Sequence, residues 1–502
     1  MRLSKLAKNV NCKIIGGDCD INRIEYDSRR VEPGNLFVCV NGTFLDGHQF
    51  AESAVNRGAA ALLAERELPF ELPQVIVPNT RIAMAEMAAE LYDQPAKGIT
   101  IIGVTGTNGK TTTTYMLKSI FEQAGHRVGI IGTIRNMVGN AIIPTSHTTP
   151  ESVELMRVFR IMRDAGVDVI IMEVSSQALD QHRVHGIEFT VGGFTNLTQD
   201  HLDYHKTFEN YMKAKRIMFE NAKFAVVNAD DAHSRPLIEG LGLGSMTYGI
   251  RSADADVKAC GIDVNSKGIE FDLVAHDTTE HINVNIPGLF NVYNALLAAS
   301  ISMKLGVSMD CIREGLSSVR GVSGRMEALD TDGFDFSVIL DFAHTPDGLM
   351  NLLTSVHEFA KARIITVFGC GGDKDKTKRP IMGEMAGMYS DFCVVTSDNP
   401  RTEDPMKIID MVLEGVHKTK CEYEVIENRR EAIRFALSIA QPDDVVVLAG
   451  KGHETYQEIN GVKHPFDEKI IVDEMLDDMR RKDRSVMQRI IFAFISAAAI
   501  AM

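Results

Sequence analysis

Residues 99–112 read Ile-Thr-Ile-Ile-Gly-Val-Thr-Gly-Thr-Asn-Gly-Lys-Thr-Thr, and the pattern that follows is helical to about Ala124. The opening apolar run has the signature of a parallel strand buried on both faces. Glycines then let the backbone turn so that successive N–H groups face one anion, and the helix N-terminus adds its positive end. A strand, an anion-cradling loop and a helix in that order commit this part of the chain to α/β architecture. The loop is a short variant, Gly106-x-x-Gly109-Lys110-Thr111, with Val104 where the longer phosphate loop has its first glycine. Gly106, Thr107, Asn108, Gly109, Lys110, Thr111 and Thr112 are expected to hold phosphates. Lys110 would neutralise the β/γ charge, and the Thr111 hydroxyl would bind Mg²⁺. The loop alone implies a nucleotide; hydrolysis, transport and ligation would all use it.

Punctuation divides the chain into three blocks. Residues 1–97 form a small α/β block, with a strand at 36–40, a helix and strand within 51–65, and a linker at 93–98 broken by Pro95 and Gly98. Residues 98–330 carry the phosphate loop and further apolar strands at 168–174 and 224–230, which give a central P-loop-type domain. Between about 246 and 286 the pattern becomes short and alternating, as in an antiparallel insertion, and helical segments follow at 290–304 and 308–318. Residues 331–489 repeat the βα logic, with strands expected at 336–340, 363–368, 391–397 and 444–450. That is a Rossmann-like, doubly wound domain whose ligands sit beyond the strand carboxyl ends.

Two features near the loop carry chemistry. Glu173 ends an apolar strand, where a carboxylate faces the ligand edge and suits Mg²⁺. Residues 195–205, Thr-Asn-Leu-Thr-Gln-Asp-His-Leu-Asp-Tyr-His, are dense in ligating groups. His201 and His205 are spaced for one helix face, but Leu202 stands where a zinc peptidase has its glutamate, so a mixed hard-cation site fits better. Lys215, by pattern alone, reads as a surface lysine.

Composition narrows the class. Lys and Arg total 53 against 68 Asp and Glu, a net charge of −15, which disfavours a nucleic-acid coat. The eight cysteines contain no CxxC pair and suit a reducing compartment. The first 20 residues lack an apolar core of the secretory kind, so a cytoplasmic location is expected. Residues 490–502 are an apolar tail of thirteen residues, short of the roughly 20 needed to span a bilayer, so no membrane span is expected.

Ten ordered motifs between about residues 20 and 475 resemble those of the Mur ligase family, ATP-dependent amide ligases that build the peptide stem of peptidoglycan. They are GTNGKTT (106–112), TTPES (148–152), MEVSSQAL (172–179), TNLTQDHLDYH (195–205), NVYNALLA (291–298), GRME (324–327), DFAHTPD (341–347), GCGGDKDKTKRP (369–380), DNPR (398–401) and GKGHE (450–454). The resemblance implies three domains, for a uridine nucleotide, for ATP and for the incoming amino acid. It implies that Tyr26-Asp27-Ser28-Arg29 and Val40-Asn41-Gly42 meet the UDP-sugar, with Ser28 in contact. Thr148, Thr149, Ser175, Gln181 and Arg183 would hold the muramoyl-peptide, and Asn294, Arg325 and Asp341 the base and ribose of ATP. Lys215 matches the lysine that the family carbamylates, and Thr111, Glu173, His201 and carbamylated Lys215 would surround Mg²⁺. Lys110, Lys215, His201 and Glu173 are then the expected catalytic group.

In the family DNPR accompanies meso-diaminopimelate, and lysine-adding relatives lack its arginine. Arg379, Asp398, Asn399, Pro400, Arg401, Gly450 and Glu454 are accordingly expected to bind meso-diaminopimelate, with UDP-N-acetylmuramoyl-L-alanyl-D-glutamate as the other substrate and a monomer as the working form. The alternatives are the same reaction with L-lysine, a ligase like folylpolyglutamate synthase, which lacks the first domain, and a P-loop ATPase that ligates nothing. Three positions depart from the family pattern: His147 where Asn is expected, Gln177 where His is common, and Phe342 for a usual Tyr.

Overall fold

The apolar runs fold as the central strands of parallel sheets. The computed structural model describes residues 1–42, 45–139, 141–144, 147–198, 200–265, 268–276, 278–319, 321 and 324–481. The apolar tail at 490–502 lies outside the described residues.

Two compact units emerge. The first is Met1–Cys260 with Leu273–Glu280 and Tyr293–Leu316; the second is Gly261–Asp272 and His281–Val292 with the chain from Ser317 on. The first unit opens with a five-stranded sheet in the order Lys13–Ile15, Gln74–Ile76, Ala61–Ala64, Asn35–Val38, Arg23–Glu25, parallel except at Lys13–Ile15. One face closes on a cluster of its own that includes Phe37, Ala54 and Leu62, but the other does not. Leu36, Val38, Ala83, Met84 and Met87 share one buried cluster with Ile101, Val153, Phe159 and Met172 of the following sheet. Arg81 pairs with Glu151 at 3.2 Å, and the Tyr26 hydroxyl donates to Glu154 at 3.0 Å. The block read as 1–97 is thus a sheet of its own within a shared core.

The part of the central sheet that flanks the loop runs Gly244–Gly249, Phe224–Asn228, Val191–Phe194, Thr100–Thr105, Val169–Glu173, Val128–Ile131, and then two short antiparallel strands, Asn136–Val138 and Ala141–Ile143. The pairings from Gly244 to Ile131 are all parallel, and Glu173 lies in register with Val104. The glycine loop and the Glu173 carboxylate therefore leave adjacent strands at the same edge. Helix Lys110–Gln123 starts directly from the loop.

The second unit has its own sheet, ordered Glu327–Leu329, Ser337–Asp341, Val445–Ala449, Ile364–Phe368, Phe392–Val395, Glu422–Val425. Only the first pairing is antiparallel. Asp341, residues 396–401 and Gly450 all follow strand carboxyl ends, where doubly wound sheets bind ligands. Among the described residues no helix is long and apolar enough to cross a membrane.

Candidate active site

The phosphate loop is held from below by a segment that the sequence offered as ligands. Thr195 Oγ1 donates to the Asn108 carbonyl at 2.6 Å, and Asn108 N donates to Asn196 Oδ1 at 3.0 Å. Thr107 N donates to the Asn196 carbonyl at 2.8 Å, and Thr198 N to Thr107 Oγ1 at 3.0 Å. Gly106 has φ +147°, and a Cβ there would run into the Thr195 hydroxyl. Gly109 has φ +85°, and a Cβ would strike Asn294 Oδ1. The two glycines are required by close approach as well as by the turn. Asn294, expected near the base, backs the loop and accepts from Thr113 Oγ1 at 3.4 Å. Thr112 is buried in the first helical turn.

Two lysines meet at one carbonyl. Lys110 Nζ donates to the carbonyls of Gly106 and Thr107, each at 2.9 Å. Lys215, on helix Phe208–Glu220, donates to the same Gly106 carbonyl at 2.9 Å and lies 4.6 Å from the centre of the Tyr211 ring. Lys215 is 1% exposed, far from the surface residue that its pattern suggested. Burial, with the Lys110 charge second, pushes its amine well below the ordinary lysine range.

Thr111 and Glu173 are brought together: Thr111 Oγ1 donates to Glu173 Oε2 at 2.9 Å. The same carboxylate accepts from Thr133 N at 2.9 Å and Thr133 Oγ1 at 3.0 Å. A hydroxyl and a carboxylate beside a phosphate loop are the hard oxygen donors that Mg²⁺ takes. His201, at φ +54°, sits 3.4 Å from Asp200 and edge-on to Tyr211. Among the described residues no three His, Cys, Asp or Glu side chains gather as a metal set.

Five of the expected muramoyl-peptide positions join Glu173 in one network. The Thr148 hydroxyl lies 3.0 Å from that of Thr133, and Thr149 Oγ1 donates to the Glu173 carbonyl at 2.9 Å. Ser175 N donates to Thr149 Oγ1 at 3.1 Å, and Arg183 Nη1 to the Thr149 carbonyl at 3.0 Å. Gln181 joins through Arg183 Nη2 at 2.7 Å. Glu151, which the sequence reading passed over, orients Arg183 at 2.9 Å. Ser28, buried at a 3-10 turn, has no bond to this network. His147 lies by Arg183, and burial with that charge lowers its ring pKa.

The second unit carries the remaining residues. Asp341 accepts from Met326 N and Ala343 N at 2.7 and 2.8 Å, and burial pushes its carboxyl up. The Arg325 guanidinium lies 5.1 Å over the Phe342 ring, so the departure from Tyr keeps an aromatic face. Asn399 Nδ2 donates to Glu454 at 2.9 Å, and Gly450, at φ +118°, turns the chain against Asp398. Pro400 precedes Arg401, which is at φ +50°. Arg401 Nη1 donates to the Gly372 carbonyl at 2.7 Å, and its Nε faces Glu458 at 3.3 Å. Arg379 is 1% exposed and bound to both Glu403 oxygens at 2.8 and 3.1 Å, a partner that no pattern marked. Arg429, paired with Glu468 at 2.7 Å and fully buried, was also missed.

Comparison with known proteins identifies the family of the chain. Family models match in chain order: "Mur ligase family, catalytic domain" at residues 20–102, "Mur ligase middle domain" at 104–302 and "Mur ligase, glutamate ligase domain" at 324–452. The UDP-N-acetylmuramoyl-L-alanyl-D-glutamate–2,6-diaminopimelate ligase of Caldanaerobacter subterraneus subsp. tengcongensis is 48% identical over 96% of this chain and 100% of its own. A solved structure of a ligase of that name is 33% identical, with TM-score 0.67 over 92% of this chain and 95% of its own. The MurF ligase of Thermotoga maritima, solved with ADP, shares the fold at TM-score 0.61 and 19% identity over 92% of this chain and 98% of its own. With the loop, the Glu173 network and all three family segments in place along its length, the chain belongs to the Mur ligase family.

Proposed function

We propose that the chain is an ATP-dependent ligase that joins meso-2,6-diaminopimelate to the D-Glu γ-carboxylate of UDP-N-acetylmuramoyl-L-alanyl-D-glutamate, a step of peptidoglycan precursor synthesis. The observation that carries the substrate assignment is Asp398-Asn399-Pro400-Arg401 at a strand carboxyl end, in a chain 48% identical to a relative named for that reaction.

Amide formation from a free carboxylate is uphill, so the carboxylate must first be activated. A γ-carboxylate oxygen attacks the γ-phosphorus of ATP, ADP leaves, and an acyl phosphate forms. The amine of the amino acid then attacks the carbonyl carbon; phosphate leaves and one proton is released. Phosphoryl transfer of this kind asks the protein for positioning and charge neutralisation. The loop N–H groups and Lys110 supply these on the phosphate side. Lys110 Nζ sits on the Gly106 and Thr107 carbonyls of the loop, which supports that role. Thr111 and Glu173 would hold Mg²⁺, which supplies Lewis-acid neutralisation of phosphate charge when bound. Lys215 as a carbamate would add a third oxygen ligand, with His201 beside it. Thr148, Thr149, Ser175, Gln181 and Arg183 orient the acceptor peptide.

The test is ADP release by the full chain with the muramoyl-dipeptide and each amino acid in turn. Release that needs both the dipeptide and diaminopimelate is expected. Release indifferent to the amino acid would leave a non-ligating ATPase, and equal use of L-lysine would overturn the choice of substrate.

A further inference from the structure

A buried ammonium is expensive unless every hydrogen finds a partner, so its place in a fold is rarely incidental. Lys451 in the second unit has no side-chain exposure. It follows strand Val445–Ala449 and the Gly450 turn. Its Nζ donates to Asn399 Oδ1 at 3.0 Å and to the Tyr456 carbonyl at 2.8 Å. Glu454 Oε2 is 3.5 Å away and Asp398 Oδ1 3.9 Å. One ammonium thereby ties together three segments: the 398–401 turn, the 450–454 loop and the hairpin Tyr456–Pro465.

The consequence falls on Asn399. A side-chain amide has an accepting and a donating end, and its partners decide which way it points. Oδ1 of Asn399 faces two obligate donors, Lys451 Nζ and Glu458 N, the latter at 2.9 Å. The reversed amide would set NH₂ against an ammonium and an N–H. Nδ2 is therefore forced towards Glu454 Oε2 at 2.9 Å. Lys451 also lies between the Glu454 and Asp398 carboxylates, whose mutual repulsion it offsets.

We infer that Lys451 is a positioning residue for the amino-acid substrate, acting through Asn399 and Glu454 and touching no substrate atom itself. The inference rests on the proposed function, in which Asn399 and Glu454 bind diaminopimelate. Without Lys451 the Asn399 oxygen keeps only Glu458 N, and the Asp398 and Glu454 carboxylates lose the cation between them, so the amide and Glu454 are less firmly placed.

The test is steady-state kinetics of the full chain with Lys451→Met and Lys451→Gln. Lys451→Met should raise KM for diaminopimelate about tenfold or more, a scale set by losing one buried hydrogen bond from a charged donor. KM for ATP and for the muramoyl-dipeptide should stay within about twofold, and kcat should fall less than the amino-acid kcat/KM. Lys451→Gln, whose amide can still donate to Asn399 Oδ1, should show a smaller rise. In an Asn399→Ala background Lys451→Met should add little, because the residue through which it acts is gone. An unchanged KM for diaminopimelate, an equal rise for all three substrates, or full additivity with Asn399→Ala each overturns the inference. Should Lys451→Met fail to fold, Lys451→Gln decides, and equal wild-type constants there are equally fatal. A wild-type chain whose ADP release ignores diaminopimelate overturns the functional reading as well. Diaminopimelate-dependent release with an unaffected Lys451→Met overturns this inference alone.

Discussion

Replacing Lys215 by Met separates stability from activity. The Lys215 amine is 1% exposed, and burial drives its pKa well below the lysine range. Carbamylation needs the neutral amine, because only its free lone pair attacks CO₂. At pH 7 an ordinary lysine with pKa about 10.4 is neutral in roughly one molecule in a few thousand. Every unit by which burial lowers the pKa raises that fraction about tenfold, so this site is prepared for the reaction. The sign for stability follows by linkage. A folded pKa below the unfolded one means that the unfolded chain binds the extra proton. The CO₂-free enzyme should therefore gain stability as pH rises from the folded pKa towards about 10.4, by up to about 1.4 kcal/mol per pH unit. Lys215→Met removes that slope. It deletes one donor to the Gly106 carbonyl, which Lys110 still satisfies, so at neutral pH its melting temperature should equal or exceed that of the CO₂-free wild type. Its kcat should fall by about 10²–10³, the scale of one lost charge-stabilising group. The assays are thermal melts from pH 6 to 10 without CO₂, and ADP release with and without bicarbonate. Wild type should lose activity on CO₂ depletion, regain it with bicarbonate and gain the mass of one CO₂. A small carboxylic acid should partly restore Lys215→Ala. A fully active Lys215→Met, or a wild-type melting curve flat with pH, refutes the reasoning.

Gly106→Ala places a Cβ against the Thr195 hydroxyl at φ +147°. Nucleotide affinity measured by calorimetry should drop, with a stability loss of about 1–3 kcal/mol. Glu173→Gln keeps the shape but sets an amide NH₂ against one of its three donor contacts. It should cost about 1–3 kcal/mol in denaturant unfolding, and titration of kcat against Mg²⁺ should show a higher half-saturation point. Arg401→Ala should collapse a preference for diaminopimelate over L-lysine that can reach about 10⁴–10⁵, read as the ratio of kcat/KM. Arg401 already holds φ +50° with a Cβ, so Ala adds no backbone strain there and the melting temperature should change little.

The strands were legible wherever burial on both faces leaves a continuous apolar run, as at 100–105, 169–173 and 445–449. Val191–Phe194 was not, because Gly192 and Gly193 break the pattern. Those glycines are there for packing: side chains of Phe219 and Met218 rest on Gly192, and those of Leu297 and Ile301 on Gly193. The phosphate loop was legible because its chemistry is local and contiguous. The role of 195–198 as the brace of that loop was not, since its bonds join residues nearly 90 positions apart. Lys215 hid for a related reason, its burial being set by the loop it faces rather than by its own helix.

The cations expected at the amino-acid end raise a last point about selectivity. Arg379 is spoken for by Glu403 on both oxygens. Arg401 is different: its side chain is a quarter exposed, Nη1 is tied to the Gly372 carbonyl at 2.7 Å, and Nε faces Glu458 at 3.3 Å without the two-point fit of Arg379. Its backbone, by contrast, is pinned, with its N–H on the Glu458 carbonyl and its own carbonyl on Asn460 N at 3.1 and 2.7 Å. A fixed backbone with a guanidinium whose Nε edge is held only by the longer Glu458 contact suits exchange of partners at that edge. A substrate carboxylate can take the fork that Glu458 holds at one point, and gains two parallel bonds in doing so. L-Lysine carries no carboxylate at that end and would leave the Glu458 contact in place. On this proposal discrimination would arise from the difference between one-point and two-point engagement of that edge, with Arg379 holding the Gly371 carbonyl and the Glu403 side chain nearby.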